Sequence, residues 1–211
     1  MARAYDNSAR VERAGRTRAA IVATARELLL QGGYPAMTVA SLAAAAGVSP
    51  QTVYNSVGGK PAVVKAVYDQ LIAGDDVEVA LSDRPEFQAL FEAVDRPAFA
   101  RAYAGWVRVH SERVGPLLGA LLAHGTDAAL VDFVATIEQE RYAGTTHAIT
   151  GLRDRIGLPA RHAGEPGLRR LVDAVWTLNS PDAYDRLVRR RGWSPAAYED
   201  WLAEQLRALL D

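Results

Sequence analysis

The chain contains no cysteine. Disulfides, thiolate zinc sites, iron–sulfur ligation and a cysteine nucleophile are therefore excluded. No long hydrophobic run is present either. The most apolar stretches, such as PLLGALLA at 116–123, fall far short of the ~20 residues a bilayer span needs. The arginine-bearing N-terminus is not followed by the apolar core of a signal peptide. These absences lead us to expect a cytoplasmic protein with no membrane partner. Excess charge of one sign is also lacking, since the formal net charge is −1. Strand-like alternation is scarce, and there is no internal repeat or low-complexity tract.

Charge is nevertheless unevenly placed. Residues 1–65 contain Arg3, Arg10, Arg13, Arg16, Arg18, Arg26, Lys60 and Lys65 against Asp6, Glu12 and Glu27, a net of +5. The remainder carries a net of −6. A basic head on an acidic body is the distribution expected where only the head meets an anionic polymer. With 49% hydrophobic and 23% charged residues over 211 positions, the chain can bury a sizeable core.

Helical periodicity dominates. Ile21, Ala25, Leu28 and Leu29 share one face, and Gly32-Gly33 supplies a stop. Thr38 can cap a short helix carrying Val39, Leu42, Ala43 and Ala46, which Gly47 ends. Ser49-Pro50 opens the next helix with serine as cap and proline at the first helical position, a signature repeated at Ser180-Pro181 and Ser194-Pro195. A fourth helix follows Lys60-Pro61. Beyond the acidic linker GDDVEVALSD, helices are expected near 85–93, 97–113, 116–123, 127–156, 166–179, 182–191 and 195–210. An all-α fold follows.

The informative segment is TVASLAAAAGVSPQTVYNSV, residues 38–57. Two short helices joined by a tight glycine turn make a helix-turn-helix. Ala43 is small where the helices cross, and Val48, Val53 and Val57 can anchor the second helix. Pro50, Gln51, Thr52, Tyr54 and Asn55 are left outward. Such a helix offers its N-terminal half to a major groove, where hydroxyls suit phosphate and amides read base edges.

These residues resemble the TetR family of bacterial transcriptional regulators. The match runs without a gap from about Ile21 to Val63, through Gly33-Tyr34, Thr38-Val39, Leu42-Ala43, Ala46-Gly47-Val48-Ser49, Thr52-Val53-Tyr54 and Lys60. The resemblance implies a homodimer on a partly palindromic double-stranded DNA operator, usually as a repressor. It also implies a helical body that binds a small-molecule effector. Carried over by position, Thr38, Thr52, Tyr54 and Lys60 are expected at phosphates, with Ser49 beside them, while Pro50, Gln51 and Asn55 face bases. The sequence departs from the family pattern at Ser56 and Val57, where rings are usual, and at Gly58-Gly59, which replaces a polar pair. Helix 2 also has Ala40, Ser41 and Ala44 where charged residues are common.

The expected organisation is a flexible basic arm at 1–15, a DNA-binding domain at 16–60 and an effector-binding and dimerisation domain at 61–211. Within the body, Tyr103, Trp106, His110, Phe133, Arg141, Tyr142 and Trp176 are candidates for a ligand site of apolar walls with a few polar groups. Leu168, Leu171, Val172 and Val175 on one helix, with Trp201, Leu202, Leu206 and Leu209 on the last, are expected at a four-helix dimer interface. Enzyme signatures are missing. GGKP at 58–61 is no P-loop, and HExxH, Glu-x-x-His and GxSxG are absent. The four histidines have no metal-like spacing, so neither metal nor cofactor is expected. The alternative reading is a helical interaction adaptor, or a small-molecule-binding protein or enzyme, with a non-functional DNA-binding head.

Overall fold

The computed structural model describes residues 2–74, 85–122 and 128–211; most of the acidic linker lies outside them. All described elements are helical: α1 (Ala2–Ala36), α2 (Val39–Ala45), α3 (Pro50–Ser56), α4 (Lys60–Ala73), α5 (Pro85–Glu92), α6 (Arg96–Leu122), α7 (Ala128–Arg155), α8 (Glu165–Leu178), α9 (Pro181–Tyr184) and α10 (Pro195–Leu210). A 3-10 turn at Ala160–His162 precedes α8, and α9 runs on into a π-helical turn at Asp185–Arg190. Two compact units result. The first comprises Met1–Val77 with Pro116–Val134, and the second Glu78–Gly115 with Ala135–Asp211.

In the first unit, α1 leaves helical geometry at Gly33, whose φ of 70° and ψ of −179° suit only glycine. Toward the N-terminus α1 is helical back to Ala2, where a flexible arm was expected. Ile21, Ala25 and Leu29 from α1 are buried with Leu42 and Ala43 of α2, Val53 of α3, and Val63, Val64 and Val67 of α4. This apolar stripe holds the two short helices, which alone would be too short to persist in water. The unit also includes the end of α6 and the start of α7. Tyr68 of α4 meets Phe133 of α7 edge-on, with ring centroids 5.7 Å apart. Phe133, expected at the ligand site, thus belongs to the head unit.

The second unit has its own core, built from Phe99, Tyr103 and Val107 of α6, Ile149 and Leu152 of α7, Leu171 and Val175 of α8, and Tyr198, Leu202 and Leu206 of α10. Leu168, Leu171, Val172, Val175, Leu202 and Leu206, expected at a partner surface, are enclosed here instead. Periodicity marks a buried face without saying what buries it, and here the same protomer does. Trp201 and Leu209 are only partly covered by this core.

Helix ends follow local chemistry. The Ser194 hydroxyl accepts from the Ala197 N–H at 3.1 Å, and the Ser180 hydroxyl from that of Asp182 at 3.2 Å. The last turn of α10 is closed from outside. Arg161 Nη2 donates to the Leu209 carbonyl at 2.9 Å, and His162 Nε2 lies 3.1 Å from the same oxygen. One expected boundary is missing, since α6 continues through Pro116. Proline deletes a single helical donor, and the neighbouring Gly115 carbonyl gains an Arg189 donor at 3.0 Å.

Candidate nucleic-acid interface and ligand groove

α2 and α3 are each set by a hydroxyl cap. Thr38 Oγ1 accepts from the Ser41 N–H at 3.0 Å, while Ser41 Oγ accepts from the Thr38 N–H at 2.9 Å, a reciprocal capping box. Ser49 Oγ accepts from the Thr52 N–H at 3.1 Å and lies 2.8 Å from the Thr52 hydroxyl. Thr38, Ser49 and Thr52 are thus already engaged in shaping the two helices. Between them Gly47 takes a φ of 66°, the left-handed geometry that the turn requires.

Val53 is fully buried and fixes which way α3 faces. Pro50, Gln51, Tyr54 and Asn55 are exposed, and Thr52 is half-buried. The five residues expected on the outer side therefore lie there. Gln51 Nε2 donates to Asn55 Oδ1 at 2.9 Å, so the two amides form one unit, with one Gln51 donor hydrogen still available. Tyr54 is 54% exposed despite its large ring. Lys60 behaves differently, because its Nζ sits 3.8 Å above the centre of the Tyr34 ring. This cation–π contact ties the start of α4 to the end of α1. Gly58 has a φ of 117°, and a Cβ there would come within 2.8 Å of the Ala62 Cβ. Gly58, the first of the unusual Gly-Gly pair, is therefore required by the way the chain enters α4, whereas Gly59 has ordinary extended geometry with a φ of −74°.

The residues expected at the ligand site divide into groups. Tyr103, Trp106 and His110 follow one another along α6, with ring centroids 5.8 Å and 4.3 Å apart. Arg141, Tyr142 and Trp176 form another group, in which Tyr142 meets Trp176 edge-on at 5.9 Å. Glu138, Gln139, Tyr142, Ala143 and Trp176 line a largely apolar groove of about 360 Å³. Arg141 Nη1 lies 2.6 Å from each carboxylate oxygen of Glu138, and Nη2 donates to the Trp176 carbonyl at 3.0 Å and to Asn179 Oδ1 at 2.5 Å.

Asn179 joins the two groups. Its Nδ2 donates to the Tyr103 hydroxyl at 2.6 Å and to Thr145 Oγ1 at 3.0 Å. Burial pushes the Tyr103 hydroxyl above its ordinary pKa, while hydrogen bonds to Thr145 and Asn179 pull the other way. Sequence reasoning singled out neither Asn179 nor Thr145. Asn179 reads as the C-cap of α8, and nothing local ties it to a tyrosine 76 positions earlier.

Residues 21–67 match the family described as bacterial regulatory proteins, tetR family. Among solved structures, one from Clostridium perfringens, a proposed fatty acid metabolism regulator, is similar in fold with a TM-score of 0.54 at 13% identity. The alignment covers 91% of this chain and 98% of that one. No curated protein matches the chain. Among the described residues, no helix is long and apolar enough to cross a membrane.

Proposed function

We propose that this chain, a DNA-binding transcriptional regulator of the TetR family, acts as a homodimeric repressor that a small molecule lifts from its operator. The observation that carries the reading is the orientation of α3. Its apolar anchor Val53 is fully buried, and Gln51, Tyr54 and Asn55 face outward. In this reading Gln51 and Asn55 read base edges, Pro50 packs beside them, and Thr38, Ser49, Thr52, Tyr54 and Lys60 lie along the phosphates. Two such helices must sit about 34–36 Å apart to enter successive major grooves, which calls for a dimer. With six of the eight expected apolar residues enclosed, the partner-facing part of α10 falls to positions such as Trp201 and Leu209.

Effector action needs a route from body to head. Supporting one, α6 and α7 each contribute residues to both compact units, and Phe133 of α7 packs on Tyr68 of α4. The groove beside Arg141 is the proposed effector entrance, suited to a ligand with an apolar body. A 100-fold loss of operator affinity requires a coupling of about 2.7 kcal/mol, within the usual range.

The test is a gel-shift and footprinting series with intergenic DNA neighbouring the coding region. The expected result is retardation of one fragment, protection of two half-sites one helical turn apart, and steep weakening with salt. Failure to bind any neighbouring fragment at low salt overturns the proposal.

A further inference from the structure

The end of the reading helix is held by a residue far from it in sequence. Arg18 of α1 donates from Nη1 to the Ser56 carbonyl at 2.9 Å, across 38 positions. The start of α3 is fixed by the Ser49 cap and its middle by Val53. Its end has no such side-chain anchor, because Ser56 and Val57 are only half-buried and glycine follows. The Val57 and Gly58 N–H groups both return to the Val53 carbonyl, at 2.9 and 3.1 Å. The last carbonyls of a helix lack partners within it, and at Ser56 Arg18 supplies one. A cation there also opposes the negative end of the helix dipole.

We propose that Arg18 is a positioning residue for DNA reading. By gripping the Ser56 carbonyl it fixes the tilt of α3 on α1, and so the presentation of Gln51 and Asn55 to the bases. The base of this grip is rigid, because Ile21 and Ala25, within two turns of Arg18 on α1, are completely buried. α3 is a seven-residue helix packed against α1 and α2, and the Arg18 hydrogen bond adds a constraint at its C-terminal end. The inference rests on the proposed reading of α3 as the DNA-contacting helix.

The experiment compares the full-length protein with Arg18→Ala and Arg18→Lys by fluorescence anisotropy. Each is measured on the footprinted operator and on a random duplex, across a salt series, with melting temperatures taken in parallel. Arg18→Ala is expected to weaken operator binding about 10-fold, as for loss of one charge-assisted hydrogen bond. Random-duplex binding should fall no more than about 2-fold on the same grounds, since an orientation-insensitive complex does not use the grip. Arg18→Lys, which keeps a donor, should recover part of the operator-to-random ratio. Equal losses on both duplexes, with the salt slope reduced by about 0.9, mean a plain phosphate contact and overturn the inference. So does an unchanged ratio, or a ratio restored by measuring below a lowered melting temperature. A wild-type protein that binds no operator defeats the underlying reading, whereas wild-type binding with an insensitive ratio defeats only the role of Arg18.

Discussion

Asn179 holds Tyr103 by a 2.6 Å hydrogen bond from Nδ2 to the phenol, and it receives Arg141 on its other amide atom. Asn179, Tyr103 and Thr145 are all buried. Removing the amide takes a donor from the Tyr103 and Thr145 hydroxyls, which keep their mutual 3.2 Å hydrogen bond, and takes one acceptor from the Arg141 guanidinium. A hydrogen bond between neutral groups contributes about 0.5–1.5 kcal/mol and one to a charged group about 1.5–3 kcal/mol. Asn179→Ala is therefore expected to destabilise the second unit by about 3 kcal/mol, read as a lower urea midpoint at unchanged slope. A loss under about 0.5 kcal/mol would show that the network contributes little.

How much of this was legible beforehand depended on the range of the interaction. The caps at Thr38, Ser49, Ser180 and Ser194 are local, and their hydroxyls bond backbone N–H groups two or three residues on. The outward set on α3 also follows from one helical period. Long-range pairings such as Arg18 with Ser56, or Asn179 with Tyr103, leave no periodic trace. The stripes on α8 and α10 predict burial correctly but cannot say whether a partner or the same chain does the burying. Pro116 reads as a break because proline lacks a donor, yet α6 continues through it. Phe133 reads as body because α7 is one helix, although that helix serves both units.

Tyr198 should behave unlike most core residues. It is completely buried, and its hydroxyl has no hydrogen-bond partner among the described residues. Its ring packs edge-on against Tyr184, with centroids 4.9 Å apart, which phenylalanine would preserve. Tyr198→Phe is expected to stabilise the protein by about 1 kcal/mol at pH 7, because a desolvated, unsatisfied hydroxyl is removed. Burial also raises the pKa of Tyr198, Tyr103 and Tyr184 above the ordinary tyrosine value of 10.0. The unfolded chain then releases these protons at lower pH than the folded one. Their contribution is complete below pH 10 and is lost as pH rises above it. Melting temperatures should fall above pH 10, less steeply for Tyr198→Phe than for the wild type. Parallel profiles would refute the assignment.

Two glycines in the head should respond differently to a methyl group. Gly47 has a φ of 66° and open space around its missing Cβ, so Gly47→Ala carries only the left-handed strain of about 1–2 kcal/mol. At Gly58, with a φ of 117°, the added Cβ also meets the Ala62 Cβ at 2.8 Å. Gly58→Ala should cost more, about 2–3 kcal/mol, and should weaken operator binding by displacing the start of α4. Thermal denaturation of both variants checks the order. Equal costs would mean that the entrance to α4 relaxes freely.

The roles proposed for α3 predict opposite signatures for neighbouring residues. Gln51 faces outward with its amide braced by Asn55 at 2.9 Å. If Gln51 reads bases as proposed, Gln51→Ala removes that contact and unbraces Asn55, so operator affinity should fall by about 1–3 kcal/mol while random-duplex affinity holds. Tyr54 has its ring half in solvent, the placement expected of a hydroxyl aimed at a phosphate. Tyr54→Phe should then weaken operator and random duplex alike, by about 0.5–1.5 kcal/mol. Competition binding against a library of half-site variants separates the two cases, because only Gln51→Ala should flatten the preference at one or two base positions. A uniform loss for Gln51→Ala would remove it from base reading and leave Asn55 as the candidate on that face.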